Sequence, residues 1–569
     1  MSQFRDLHHQ VQMPKTTVPP CASARPFLPA VTRRVNRSAE AFMRLEDSRF
    51  VALAGLVALA GCASETGNPE ASHARRWTNA KGDFATVSAT CSASAYLKGT
   101  HSAEETELGS VVAVSADGSM LAVGMPGEST DSVGVNPSPV AGPKLSAGAV
   151  TIFRCDAGAW SQEAFLKASN AEEYDEFGGS IALSADGTVL AVGATGEASA
   201  ALAEGGGETD NSADGAGAVY VFRRSAGAWV EEAYLKASNA AKNDDFGGAV
   251  SLSADGNTLA VGAEAEDGLD PNGVPDDNAG SSAGAVYVFE RDEALGWSES
   301  AFLKASLPNA WDRFGSALSL APDGQSLAVG AWGESSGSDG INSDQHDGAT
   351  YGAGAVYLFR RTDGRWWEES YIKSANSGSQ HFFGYSIALS GDASVLVVGA
   401  YGEPSDATGI NGDESDSSGR NVGAAYVFRY TETGWVQEAY IKASNSEDQD
   451  KFGTRVAVST DGNVVAVGAP NEDSDGTGFD GDQNDGSADE SGAVYVFALG
   501  AEGWQQTHYV KAPNTGEDDA FGSSLALSAD GTLLLASAPN EASNATTIDG
   551  DGTNDSSEYS GACYAIALP

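Results

Sequence analysis

The chain has 569 residues and carries 79 acidic against 32 basic side chains, a formal net charge of −47. A surface this acidic repels nucleic acid and anionic lipid head groups, which removes both from the ligands expected of the folded body. Disorder is excluded too, because 41% of residues are hydrophobic and they alternate in strand fashion.

The amino-terminal 61 residues differ from the rest, with basic side chains such as Arg33, Arg34 and Arg37 in place of the acidic excess. Within them FVALAGLVALAGC at 50–62 is an apolar run ending in small residues and a cysteine. It is short for a spanning helix and suits the core of a signal peptide. Leu59-Ala60-Gly61-Cys62 resembles the lipobox of bacterial lipoproteins, which implies a lipid on Cys62 and a membrane contact through that anchor alone. Met43 followed by Arg44 makes an ordinary start for such a signal. The expected division is therefore 1–42 as upstream sequence, 43–61 as lipoprotein signal peptide, 62–90 as lipidated cysteine and polar tether, and 91–569 as the folded body. Ala63 stands where an aspartate would favour inner-membrane retention, so the expected address is the outer membrane of the cell envelope.

The body repeats with little drift. An FG pair, once LG, begins at Leu108, Phe177, Phe246, Phe314, Phe383, Phe452 and Phe521, at intervals of 68 or 69 residues. The lysine of AYLK-like segments recurs in the same phase at Lys98, Lys167, Lys236, Lys304, Lys373, Lys442 and Lys511. Each unit reads as four short strands. In the second unit, FGGSIALS at 177–184 alternates, Ala185-Asp186-Gly187 turns the chain, and TVLAVGA returns. After a long Gly/Asp/Ser loop come GAVYVFRR at 217–224 and, past a tight turn, WVEEAYLKA at 229–237.

Seven such sheets predict an all-β, seven-bladed propeller of four-stranded antiparallel blades. The last unit ends after GACYAIAL without its fourth strand, and an orphan CSASAYLKG precedes the first. The amino-terminal strand is thus expected to close the last blade and remove the open edge. Cys91 and Cys563 then fall in one sheet. Register, offset by several residues, favours two buried thiols over a Cys91–Cys563 staple.

These repeats resemble the FG-GAP repeats of the integrin α-subunit propeller. The GAP element appears as VGMP at 123–126, VGAP at 467–470 and SAPN at 537–540. The resemblance implies a seven-bladed fold and a role in adhesion or recognition. It does not carry over the calcium loops of that family. The first two strands here are joined only by short turns at Asp117, Asp186, Asp255, Asp323, Asp392, Asp461 and Asp530, too few oxygens for calcium.

Strand alternation puts the long acidic loops and the fourth-to-first-strand connections on one face, where binding is most plausible. Calcium is the one cofactor the loops suggest, through alternating oxygens at Asp480, Asp482 and Asn484, and at Asp549 and Asp551. Ordinary turn-rich loops explain the same pattern. A glutamate recurring at Glu128, Glu197, Glu266, Glu334, Glu403, Glu472 and Glu541 is read as a structural cap of backbone amides. Residues the repeat does not explain are better ligand contacts: Trp311, Arg313, Trp332, His381, Phe382 and Tyr401, with Tyr385 nearby. Clustered aromatics on a rim can stack on a sugar or hold a partner's side chain, and inter-blade packing is the alternative use.

No GxSxG, HExxH or phosphate-cradling loop occurs in suitable context. The expectation is a non-catalytic recognition propeller whose partner is a protein or polysaccharide. An exported hydrolase or lyase with a central-channel site, or a purely structural envelope protein, are the alternatives.

Overall fold

The computed structural model describes residues 94–138, 144–200, 210–271 and 281–569. Cys62, the signal and tether segments, and Cys91 lie outside the described residues. The rest forms seven antiparallel sheets whose strands follow one another in sequence order. Blade 2 is representative, with strands Ser180–Leu183, Val189–Ala194, Ala218–Ser225 and Ala228–Leu235. Its second strand, VLAVGA, is buried on both faces because it lies between two strands of its own sheet and between two neighbouring sheets. The fourth strand buries only its last three residues and alternates before them, as an outer strand should. The first strands of neighbouring blades contact one another around the ring, so they line its centre.

The last blade is completed from the front of the chain. Ala95–Leu97 pairs antiparallel with Ala562–Ala567, placing Leu97 opposite Cys563. That register carries the chain six residues past Cys91 before it reaches Cys563. Cys563 is a buried free thiol, so the Cys91–Cys563 staple does not form. Among the described residues Cys155 is disulfide-bonded. One blade departs from four strands: Gly478–Phe479 adds a fifth along Gly503–Lys511. Single bridges Ile341–Ile372 and Ile410–Ile441 do the same work elsewhere, so the long loops cover the outer edges.

The FG and GA motifs serve the approach of one blade to the next. A Cβ on Gly193 would lie 2.1 Å from the carbonyl oxygen of Gly247, the FG glycine of the following blade. Gly124, Gly262, Gly330, Gly399 and Gly468 meet the next blade in the same way. Only glycine allows two backbones this close. On the opposite face the short turns link blade to blade, from Ala116 N–H donating to Ala185 C=O around to Ala529 N–H donating to Ala116 C=O. The aspartates of these turns accept local amides, as when Ser119 N–H and Thr188 N–H donate to Asp117 and Asp186.

A buried ion pair recurs in every blade. Lys236 Nζ lies 2.7 Å from Glu197 Oε2, with neither side chain more than 2% exposed. Lys167–Glu128, Lys304–Glu266, Lys373–Glu334, Lys442–Glu403 and Lys511–Glu472 repeat it, and Lys98–Glu541 at 2.9 Å forms it across the seam. The glutamate also caps the amide two residues on, at Ser199, Ser336 and Ser405 for example. Asparagine from the preceding blade joins in. Asn170 donates to Glu197 and accepts from Tyr220, and Asn376 does the same with Glu403 and Tyr426.

Replacing Lys98 by Met would leave the Glu541 carboxylate buried without its ammonium, a loss of about 3–5 kcal/mol. The melting temperature of Lys98→Met is expected to fall sharply, and Glu541→Gln in the same chain to recover part of it. An unchanged melt would show that the seam does not close through this pair.

Buried aspartates in the turn before FG predict a pH dependence. Burial pushes Asp175 up to about 6, Asp244, Asp312 and Asp519 up to about 7, and Asp450 up to about 8. Unfolded, these groups titrate near 4. Between about pH 4 and pH 8 the folded chain therefore holds protons that the unfolded chain has lost, and stability falls as pH rises. Burial lowers the His381 and His101 imidazoles, which opposes this trend in acid, but the raised carboxyl groups outnumber them. Melting is expected at a higher temperature at pH 5 than at pH 8, and the reverse order would refute the assignment.

Candidate functional site

The long-loop face takes its shape from the three residues before each FG pair. In every blade the two flanking residues of this turn adopt positive φ, as at Tyr174 and Glu176 or Gln380 and Phe382, while the central one turns inward. The central slot holds Asp175, Asp244, Asp312, Asp450 and Asp519, each at most 6% exposed. His381 occupies that slot in blade 5. The sequence groups it with the rim, but it is buried, because the turn aims this position into the sheet stack. The following position, which points out, reads Glu107, Glu176, Asp245, Arg313, Phe382, Lys451 and Ala520 around the ring. One side of the mouth is acidic and the other cationic and aromatic.

On the second side the rings touch in series. Arg313 lies over Trp332 at 5.4 Å from the ring centroid. Trp332 meets Phe382 edge-on at 5.6 Å, and Phe382 stacks on Tyr401 at 5.0 Å. Tyr401 meets Tyr385 edge-on at 4.7 Å, and Arg455 covers Tyr385 at 5.7 Å. The run thus reads Arg–Trp–Phe–Tyr–Tyr–Arg across blades 4, 5 and 6, every member half-buried. Such packing holds the rings in place while leaving part of each face open. Trp311 is 54% exposed beside this run and makes no ring contact with it. Arg455 is absent from the sequence-based set, although its departure from the small residues Ser180, Ala249, Ala317, Ser386 and Ser524 at that repeat position was a readable signal.

Across the mouth, Glu107 and Glu176 line a cavity of about 370 Å³ together with Ser110, Thr195 and Ser146. Burial and then the neighbouring Glu176 push the Glu107 carboxyl up. Asp245 is pushed up to about 6 by burial and by Glu264, with Arg313 pulling it back.

A family model for the FG-GAP repeat matches residues 160–222, 229–289, 366–428 and 435–497. These four segments are FG-GAP repeats, and the ring is a seven-bladed propeller that contains them. The matched segments run from the fourth strand of one blade to the third of the next, the same permutation that leaves Ala95–Leu97 to close this FG-GAP propeller. Among solved structures, the FG-GAP propeller is similar to Kuenenia stuttgartiensis hydrazine synthase at 12% identity and a TM-score of 0.42, covering 78% of this chain and 95% of that one. It is also similar to the β-propeller domain of Myceliophteria thermophila Cps50 (Swd1) at 12% identity and a TM-score of 0.44, covering 83% and 98%. No curated protein matches the chain significantly.

In the FG-GAP loops the oxygens singled out for calcium are engaged by the chain itself. Asp480 and Asp549 accept the amides of Tyr509 and Tyr96 on the outer strands, and the backbone amides of both aspartates donate back. Asp482 and Asp551 accept the amides two residues on, at Asn484 and Thr553. Among the described residues no group of three or more His, Cys, Asp or Glu is arranged to hold a metal ion. Millimolar calcium is expected to leave the melting temperature within about a degree of that in chelator. A rise of several degrees would show that the loops rearrange to bind it.

Proposed function

We propose that this FG-GAP propeller is an exported recognition protein of the cell envelope, anchored by a lipid on Cys62, that binds a protein or polysaccharide through its long-loop face. The observation that carries this reading is the continuous run of four half-buried rings capped by arginines on one side of the mouth. Seven-fold repetition explains the buried lysines, glutamates and glycines as structure, whereas Trp332, Phe382, Tyr385 and Tyr401 belong to no repeat consensus. Half-buried aromatic side chains lose little entropy on binding and supply large contact areas, the usual make-up of a binding hot spot. The lipobox at 59–62 supports export, and the disulfide at Cys155 fits an oxidising compartment.

Screening the chain against a glycan array and by pull-down from envelope extracts should yield a ligand. The Phe382→Ala, Tyr401→Ser double variant should bind it at least about tenfold more weakly with the fold retained by its melt. Unchanged binding would move the site elsewhere. A second reading, hydrolysis, rests on Glu107 and Glu176 lining the 370 Å³ cavity together, since two carboxyl groups facing one cavity can serve as acid and base. Turnover of a glycoside that Glu107→Gln abolishes would establish it in place of pure recognition.

A further inference from the structure

Building on the recognition reading, we infer that the ligand is a glycan carrying isolated carboxylates on otherwise neutral sugars, with a carboxylate held by Arg455. Acidic side chains outnumber basic ones by 79 to 32, so a cation without a carboxylate is the exception in this molecule. Arg313, at one end of the aromatic run, is already tied to Glu264 at 2.9 Å. The arginines of the outer sheets are likewise paired, as in Arg223–Glu232 and Arg429–Glu438. Arg455 has no such partner among the described residues. Its Nη1 donates only to the Thr454 carbonyl, and its guanidinium carbon lies over Tyr385, 5.7 Å from the ring centroid. Lys451, in the outward slot of the same blade, is also without an ion pair.

A guanidinium is a planar fork of N–H donors, and those that Arg455 does not spend on Thr454 match a carboxylate. The adjoining Tyr385, Tyr401 and Phe382 offer ring faces and edges to the C–H surfaces of a sugar. The combination therefore reads an anionic group and a neighbouring pyranose together. The net charge of −47 works against a dense polyanion. Glu107, Glu176 and Asp245 across the mouth confine any anion to the side of blades 5 and 6. Both restrictions favour single carboxylates spaced by neutral sugars over a sulfated chain or nucleic acid.

Titration calorimetry on the full chain can test this with four probes: hyaluronan oligosaccharides (one carboxylate per disaccharide), their carboxyl-reduced neutral form, heparin oligosaccharides, and a polyglutamate peptide. Hyaluronan is expected to bind about tenfold or more tightly than its reduced form and than heparin. The Arg455→Gln, Lys451→Gln double variant should lose that preference while retaining the weaker binding of the neutral form. If the neutral form binds as well as the acidic one and the double variant changes nothing, the carboxylate inference fails and the recognition reading stands. If heparin binds best, the isolated-charge inference fails. If only polyglutamate binds, the patch takes an acidic peptide and the glycan inference fails. If the Phe382→Ala, Tyr401→Ser variant binds every probe like the parent, the recognition site itself is misplaced.

Discussion

Each blade is organised around an ammonium and a carboxylate withdrawn from water. The lysine comes from the end of the fourth strand and the glutamate from the exit of the second, 38 or 39 residues apart in six blades. Removing two charges from solvent is costly, and their attraction repays it only when the remaining donors and acceptors are satisfied. Here they are. Lys236 also donates to the Gly217 carbonyl at the start of the third strand, and Glu197 also accepts the Ser199 amide and the Asn170 side chain. One pair therefore fixes where three segments of a blade meet. It also fixes where the long loop departs, which is why loops of differing sequence leave from equivalent points.

The same cluster couples neighbours. Asn170 reaches from one blade to the glutamate and tyrosine of the next, and glycine contacts such as Gly193 with Gly247 set how closely the sheets stack. Because these contacts are periodic, the ring closes when the last blade receives the same parts as the others. Tyr96 and Lys98 deliver them from the opposite end of the chain, to Glu541 and Asp549. A rigid, repetitive interior of this kind leaves the outward positions of the mouth free to vary. The half-ring of Glu107, Glu176 and Asp245 faces the half-ring of Arg313, Phe382 and Lys451 on turns of one backbone shape.

Several departures have a common cause. Glu197 and its counterparts do cap amides, but their main partner is a lysine distant in sequence, and in-phase recurrence of both residues was the only trace of it. His381 stands out in sequence because it breaks an aspartate column, and that column points inward. Asp480 and Asp549, whose spacing suits either a calcium loop or an ordinary turn-rich one, accept amides of the outer strand and blunt its edge. In each case residue type and spacing were legible, and the direction of the side chain was not.

Periodicity by itself determined the blade number, the strand order, the borrowed closing strand and the division into two faces. Strand alternation and turn chemistry are local properties that survive in a linear text. Which unlike residues meet on a face is decided by the ring. Arg313, Trp332, Phe382, Tyr401, Tyr385 and Arg455 span 143 positions of chain and become one surface only when three blades stand side by side. Their contact depends on inter-blade spacing and backbone twist, which no single repeat contains.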